Sequence, residues 1–283
     1  MKFNTWKPIV IFSSPAGSTR RVAEVITETL RGLGQKPLAY DLASRVERSD
    51  LKIHLEGSGT GSCLFVGSPV YACHSVPPIV DLISHLPKTT DGYAVPFVTW
   101  GSVTSGVALH EMATMLNARG YSIIGAAKVV AVHSLMWRFS SPLGEGRPNA
   151  EDDLLIQDMV KRVDAKISDK HVQPLCLEDL NYQPIDAQEV MKKASIERVK
   201  ELLPPRQLDK ELCTGCGMCV DVCPAQAITC DFYPEFGSAC FFCYNCVRLC
   251  PEGAIKADFS KMENWLKNRA GENEERPLSQ IFV

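Results

Sequence analysis

The chain has 283 residues, 45% apolar and 22% charged, with a formal net charge of −3. That length fits one large domain plus a small one, or two medium ones, and suffices to bury a sizeable core. The balanced charge argues against a nucleic-acid binder, no apolar run approaches the roughly 20 residues of a membrane span, and the polar Met1–Pro8 lacks the apolar stretch of about 7–15 residues of a secretory signal, so the expectation is a soluble cytoplasmic protein.

The first 170 residues alternate short apolar runs with amphipathic stretches. Pro8–Ser13, Pro37–Tyr40, Ser62–Gly67, Pro96–Trp100 and Ala126–Val132 read as buried strands, because they are short and rich in β-branched and aromatic residues. Between them, Ser18–Leu33 places Val22, Val25, Ile26, Leu30 and Leu33 on one helical face, with Gly34 where a cap belongs. Val76–Leu86 and Thr104–Arg119 read as helices too. Asn149 caps a further helix, Ala150–Ile167, with Leu154, Leu155 and Met159 expected inward. Such alternation predicts an α/β fold, a five-stranded doubly wound parallel sheet with helices on both faces, over residues 1–170. Prolines punctuate 171–206, which reads as a linker carrying one helix, Ala187–Leu203. Residues 207–260 form a distinct unit, and 261–283 a C-terminal tail that is charged after Glu272 and expected to be mobile.

The distinct unit holds nine of the twelve cysteines, between Cys213 and Cys250. In a reducing compartment such crowding reads as metal ligation rather than disulfides. Two segments align at an offset of 27: Cys213-x-x-Cys216-x-x-Cys219-x-x-x-Cys223-Pro224 with Ala227-Ile228, and Cys240-x-x-Cys243-x-x-Cys246-x-x-x-Cys250-Pro251 with Ala254-Ile255. Three thiolates three residues apart can wrap a loop around one cubane. Zinc sites instead use cysteine pairs separated by longer gaps. The segment resembles the two-cluster bacterial ferredoxins, a small α+β fold. The resemblance implies one [4Fe–4S] cluster on Cys213, Cys216, Cys219 and Cys250, and a second on Cys240, Cys243, Cys246 and Cys223. Residues 207–259 carry seven acids against three bases, which favours low potentials and a basic docking patch on a redox partner protein.

In a doubly wound sheet the ligand sits beyond the carboxyl ends of the strands. The first such loop, Ser13-Ser14-Pro15-Ala16-Gly17-Ser18-Thr19, runs into a helix and offers hydroxyls and backbone amides to a phosphate. It is neither a Walker loop nor a dinucleotide fingerprint, and a response-regulator receiver would need acids where these serines stand. The loops after strands three and four carry Tyr71 and Trp100. A phosphate cradle plus aromatic loops suits FMN. Here the chain resembles flavodoxins, and more closely the flavodoxin–ferredoxin fusion proteins of anaerobes. Carried over by position, Ser14, Gly17, Ser18 and Thr19 bind the FMN phosphate, Pro69, Val70 and Tyr71 line one side of the ring, and Trp100 and Gly101 the other. Ala16 departs from the usual threonine, and Trp100 from tyrosine.

Several single residues receive plainer readings. Cys73 and His74 are taken as loop positions without chemical role, His133 as a structural hydrogen-bonding residue, His110 as solvated or packing, and Cys63, Cys176 and Cys230 as bystanders. Arg138 and Arg147 are candidates to approach an anionic substrate or the flavin edge. The leading expectation is an electron-transfer flavoprotein linking two [4Fe–4S] clusters, FMN and an outside protein. A flavin-dependent reductase of a small-molecule substrate is the alternative, a redox-sensing module a distant third. No catalytic residue is assigned, and a homodimer is allowed for.

Overall fold

The computed structural model describes residues 6–45, 47–48, 50–51, 61–170, 172–273 and 275–283. Its main sheet is built from β1 (Lys7–Phe12), β2 (Leu38–Asp41), β3 (Ser62–Tyr71), β5 (Tyr93–Trp100) and β7 (Ala126–Val130), all parallel and ordered β7-β5-β3-β1-β2. Setting aside two-residue β4 (His74–Ser75) and β6 (Ser122–Ile123), this is the 2-1-3-4-5 order of the flavodoxin-like fold. The topological switch lies between β1 and β3.

Strand periodicity sorts the core onto two faces. Val10 and Phe12 of β1 pack with Val22, Ile26 and Leu30 of α1 (Ser18–Gly32), on the face also covered by α4 (Ala150–Ser168). Ile9 and Ile11 point the other way, towards Ile79 and Ile83 of α2 (Pro77–His85) and Leu109 and Met112 of α3 (Ala108–Ala118). Asn149 caps α4 as expected: its Oδ1 accepts from Asp152 N at 3.2 Å, and Asp152 Oδ2 accepts from Asn149 N at 2.7 Å, a device whose loss typically costs about 1 kcal/mol.

The structure corrects the sequence reading in several places. The inward face of α4 is Ile156, Met159, Val160, Val163 and Ile167, while Leu154 is 64% and Leu155 38% exposed. The spacing 156-159-160-163-167 continues one stripe that Leu154 and Leu155 do not join. α3 starts at Ala108, not Thr104, because Gly106 adopts φ +61° against the Cys73 backbone, and a Cβ there would lie 2.2 Å from Cys73 O. The helix expected over 187–203 is two, α5 (Ile185–Lys192) and α6 (Ile196–Lys200), the second capped by Ser195 Oγ accepting from Arg198 N.

The expected mobile tail is ordered by packing. After α9 (Met262–Glu272), β12 (Gln280–Phe282) joins the main sheet antiparallel to β7. Glu275 is buried against Lys128 Nζ at 2.8 Å and also accepts from Ser105 N and Gln183 Nε2. Tyr182, from the stretch read as a linker, stacks on Phe282 at 5.8 Å and lies under Lys128.

The cysteine-rich part contains two small antiparallel pairs, β9 (Ile228–Cys230) with β10 (Pro234–Phe236) and β8 (Gln207–Leu208) with β11 (Ile255–Lys256). Two four-residue helices, α7 (Met218–Asp221) and α8 (Asn245–Arg248), stand at the same offset of 27 as the cysteines. No helix among the described residues is long and apolar enough to cross a membrane.

Candidate functional site

The 27-residue repeat extends to the backbone conformation. Gly215 and Phe242 have φ +67° and +57°, Gly217 and Tyr244 +76° and +56°, Gln226 and Gly253 +51° and +60°. Left-handed geometry is ordinary for glycine but costly for a bulky residue, so Phe242 and Tyr244 hold it only because their surroundings impose it. Tyr244 is 1% exposed and donates its hydroxyl to Pro204 O at 2.7 Å, while Arg206 lies over the Phe242 ring at 4.7 Å. The amides follow the repeat as well: Ala227 N donates to Cys223 Sγ and Ala254 N to Cys250 Sγ, both at 3.3 Å.

Cys213, Cys216, Cys219 and Cys250 line one cavity, with Cys230 on its wall. Cys230, which lies outside both repeats and is expected to ligate nothing, is turned by strand alternation to the same side of β9 as Ile228. Cys223, Cys240 and Cys246 are buried in one apolar cluster that also holds Tyr244 and Phe259. Arg206 Nη1 donates to Cys240 Sγ at 2.9 Å and Phe242 N to the same sulfur at 3.3 Å. Cys243, 8% exposed, packs with Phe241 into the core shared with Val70 and Tyr71. A soft thiolate set with N–H donors on its sulfurs suits iron–sulfur ligation.

The nine residues assigned to the flavin line two adjoining cavities at the carboxyl edge of the sheet. Ser18, Thr19, Pro69, Val70, Tyr71, Trp100 and Gly101 line a cleft, together with Val132, His133 and Ser134. Ser14 and Gly17 line a neighbouring, larger cavity, with Ala16 common to both. Gly17 precedes α1 at φ +92°, with nothing within 4 Å of where a Cβ would stand. Ser14 Oγ accepts from Arg20 N at 2.8 Å, and the Thr19 hydroxyl is 2.8 Å from that of Thr99. Gly101 is required sterically, because a Cβ would lie 2.6 Å from the His133 ring.

Trp100 lines the cleft, but it is 1% exposed and its ring lies 5.8 Å from Lys128 Nζ, so most of the indole packs inward. Its Nε1, and Ser102 Oγ in the same loop, are buried without a hydrogen-bond partner among the described residues. Buried polar atoms of this kind normally have partners, so an unpartnered Nε1 on a residue that lines the cleft fits a site for a polar ligand. With the amides of the helix start, they make the site fit a phosphorylated flat ring.

Tyr71 joins the cleft to the cysteines. Its ring is 5.7 Å from Phe241, and its hydroxyl is pushed up to about 12 by burial and then by Cys243. His133 was read as structural, and Leu135 N does donate to its Nδ1 at 3.3 Å, but the ring also lines the cleft. Burial pushes its pKa down to about 4. The sequence signal was its place after the fifth strand, on the ligand edge.

Cys73 and His74 lie away from the cleft. The Cys73 thiol is pushed up to about 11 by burial, and His74 is held between Glu111 Oε2 at 2.8 Å and Ala194 O at 2.9 Å. Arg147 is no anion ligand: its Nε donates to Asp152 Oδ2 at 2.6 Å, beside Ser279. Arg138 lies 5.5 Å from the Trp137 ring. Two residues at the site were missed. Asp41, 1% exposed, accepts from Ser14 N and Arg20 Nη2, and Arg248 reaches across from α8 to Pro15 O and Ser134 O.

Residues 206–229 match the 4Fe-4S binding domain family. No curated protein matches the chain. Among solved structures it is similar to rubredoxin oxygen:oxidoreductase from Desulfovibrio gigas (18% identity, 58% of this chain and 36% of that one, TM-score 0.46), so it spans little more than a third of that protein. It is also similar to a flavodoxin from the domain Archaea (17%, 58% and 99%, TM-score 0.43) and to an NADH:FMN oxidoreductase in its apo form (16%, 57% and 90%, TM-score 0.45). Sheet order and cysteine repeat together make this chain a flavodoxin-like α/β unit joined to a ferredoxin-like 4Fe–4S unit.

Proposed function

We propose that the protein is an electron carrier in which two [4Fe–4S] clusters and one FMN exchange electrons with an outside redox protein. The observation that carries this is the packing of Phe241 and Cys243 into one core with Val70 and Tyr71. It sets one cysteine group directly behind the flavin cleft.

Cys213, Cys216, Cys219 and Cys250 hold the first cluster in this reading, and Cys240, Cys243, Cys246 and Cys223 the second. Ser14, Gly17, Ser18 and Thr19 bind the phosphate, and Pro69, Val70, Tyr71, Trp100 and Gly101 border the ring. Clusters supply one-electron exchange, and a flavin takes one electron or two. The protein's part is spacing and insulation. Phe241 and Tyr71 fill the gap between the two sites and exclude water. Arg206 and the Phe242 amide, donating to Cys240 Sγ, stabilise added negative charge there.

Exposure supports docking of the outside protein at the first cysteine group. Cys216 is exposed and Met218 is 42% exposed, whereas Cys240, Cys243 and Cys246 are buried. The outside partner therefore meets the first group, with the second between it and the flavin, and the surplus of acids in residues 207–259 favours a partner with a basic face. The test is an anaerobic visible spectrum with iron, sulfide and flavin analysis, followed by reduction through the clusters at low and high salt. About eight irons and one FMN per chain, with salt-dependent reduction, are expected. Zinc in place of iron, absence of flavin, or a flavin that the clusters cannot reduce overturns the reading.

A further inference from the structure

We infer that Arg248, from the cysteine-rich half, supplies the positive charge that holds the flavin phosphate, so that one phosphate is bound by both halves. This rests on the FMN reading above.

The phosphate loop itself is neutral. Ala16 lacks the hydroxyl that a threonine would bring, and Arg20, which lines the same cavity, has its charge matched within its own half: its Nη2 pairs with Asp41 Oδ2 at 2.8 Å, a carboxylate 1% exposed. A phosphate monoester carries a charge of about −1.5 to −2 at neutral pH, and a cation at the loop edge adds a charge-assisted contact to the amides and hydroxyls of the loop.

Arg248 comes from the opposite side. Its Nη1 donates to Pro15 O at 3.0 Å, its Nη2 to Ser134 O at 2.9 Å, and the guanidinium lies over the Trp137 ring at 4.4 Å. These bonds fix the fork at the edge of the loop and occupy two of its five N–H donors. Arg248 and Asn245 face Ser14, Ala16 and Gly17 across the larger cavity. Asn245 is 4% exposed, its Nδ2 donates to Val222 O, and its Oδ1 is buried with no partner among the described residues. A buried acceptor beside a cation fits a ligand that brings hydroxyl donors together with an anionic end. The rim residues Arg45 and Asp221 are exposed and opposite in sign. Arg248 is also the sole arginine within 207–259, the segment otherwise rich in acids.

The probes are FMN and riboflavin, which share ring and ribityl chain and differ in the phosphate. Flavin-free, cluster-loaded protein is titrated with each by fluorescence quenching, as wild type, R248Q and R248K, at low and high salt. R248Q should weaken FMN about tenfold or more while leaving riboflavin unchanged, a loss in line with one charge-assisted contact. R248K should recover part of the preference, and salt should erode FMN binding more in wild type than in R248Q. Unchanged FMN affinity in R248Q, or equal weakening of both ligands, overturns the role of Arg248 while leaving the FMN reading intact. Should R248Q lose iron, the wild-type preference for FMN over riboflavin decides: if salt does not reduce it, the inference fails. Wild type binding neither flavin overturns the FMN reading and the inference together.

Discussion

The rings of Tyr71 and Phe241 lie 5.7 Å apart and are tilted by 45°, one at the end of the third strand of the sheet, the other between the first two cysteines of the second motif. Phe241 is 3% exposed and belongs to the core of the first half. Phe241→Ala should therefore lower unfolding free energy by about 3–5 kcal/mol. It should also slow reduction of bound flavin by the clusters while leaving iron content unchanged. Denaturant titration and anaerobic stopped-flow spectroscopy check the two effects.

Ligand exchange between the motifs gives a pairing test. Cys213→Ala and Cys250→Ala should remove the same cluster, and Cys240→Ala and Cys223→Ala the other. Each variant should lose about four irons, with matching visible spectra within each pair. If Cys223→Ala instead matches Cys213→Ala, each motif closes its own cluster.

Glu275 ties the end of the chain to the flavin loop. Burial works to raise its pKa, but the hydrogen bonds from Lys128, Ser105 and Gln183 outweigh it, and the net shift is downward. A carboxylate held below its unfolded value stabilises the fold fully above that value and loses this contribution as pH falls through the folded one. Thermal stability should therefore drop on acidification below about pH 4.5, and Glu275→Gln should flatten that part of the profile. Near neutrality Glu275→Ala should cost about 3–5 kcal/mol, because Lys128 would stay buried without a counter-charge. Calorimetry across a pH series reads both.

His133 acts in a different pH window. With its pKa pushed down to about 4, the ring is neutral at neutral pH. Between the ordinary histidine value of about 6.5 and that depressed value the unfolded chain binds more protons, so stability rises with pH there and is lost as pH falls. His133→Asn should remove this slope. Flavin affinity measured from pH 7 to 8 should show no step attributable to this residue.

Much of the fold was legible because periodicity reports burial directly. The five parallel strands, α1, the Asn149 cap and both cysteine motifs were all read from residue type and spacing. Leu154 and Leu155 misled because apolar character near a helix start says nothing about which side of the stripe a residue occupies. The register was set by Ile156 and its partners further along. At the site, the loops were legible and the reach between halves was not. Arg248 lies 233 positions from Pro15, and Glu275 lies 147 from Lys128. No local pattern encodes contacts of that separation. Ser102, Cys73 and Gly106 depend likewise on backbone conformations that only the assembled loops impose.

The strand Gln280–Phe282 lies against β7 of the main sheet, so the chain leaves the first unit through 171–206, builds the cysteine-rich unit and returns. That unit is an insertion tethered at both ends rather than a pendant on a flexible stalk. A single proteolytic nick in either tether should leave the two halves associated, and a swinging motion of one against the other is mechanically hindered. In the proposed carrier, the distance between cysteine group and cleft is then set by the architecture when the chain folds.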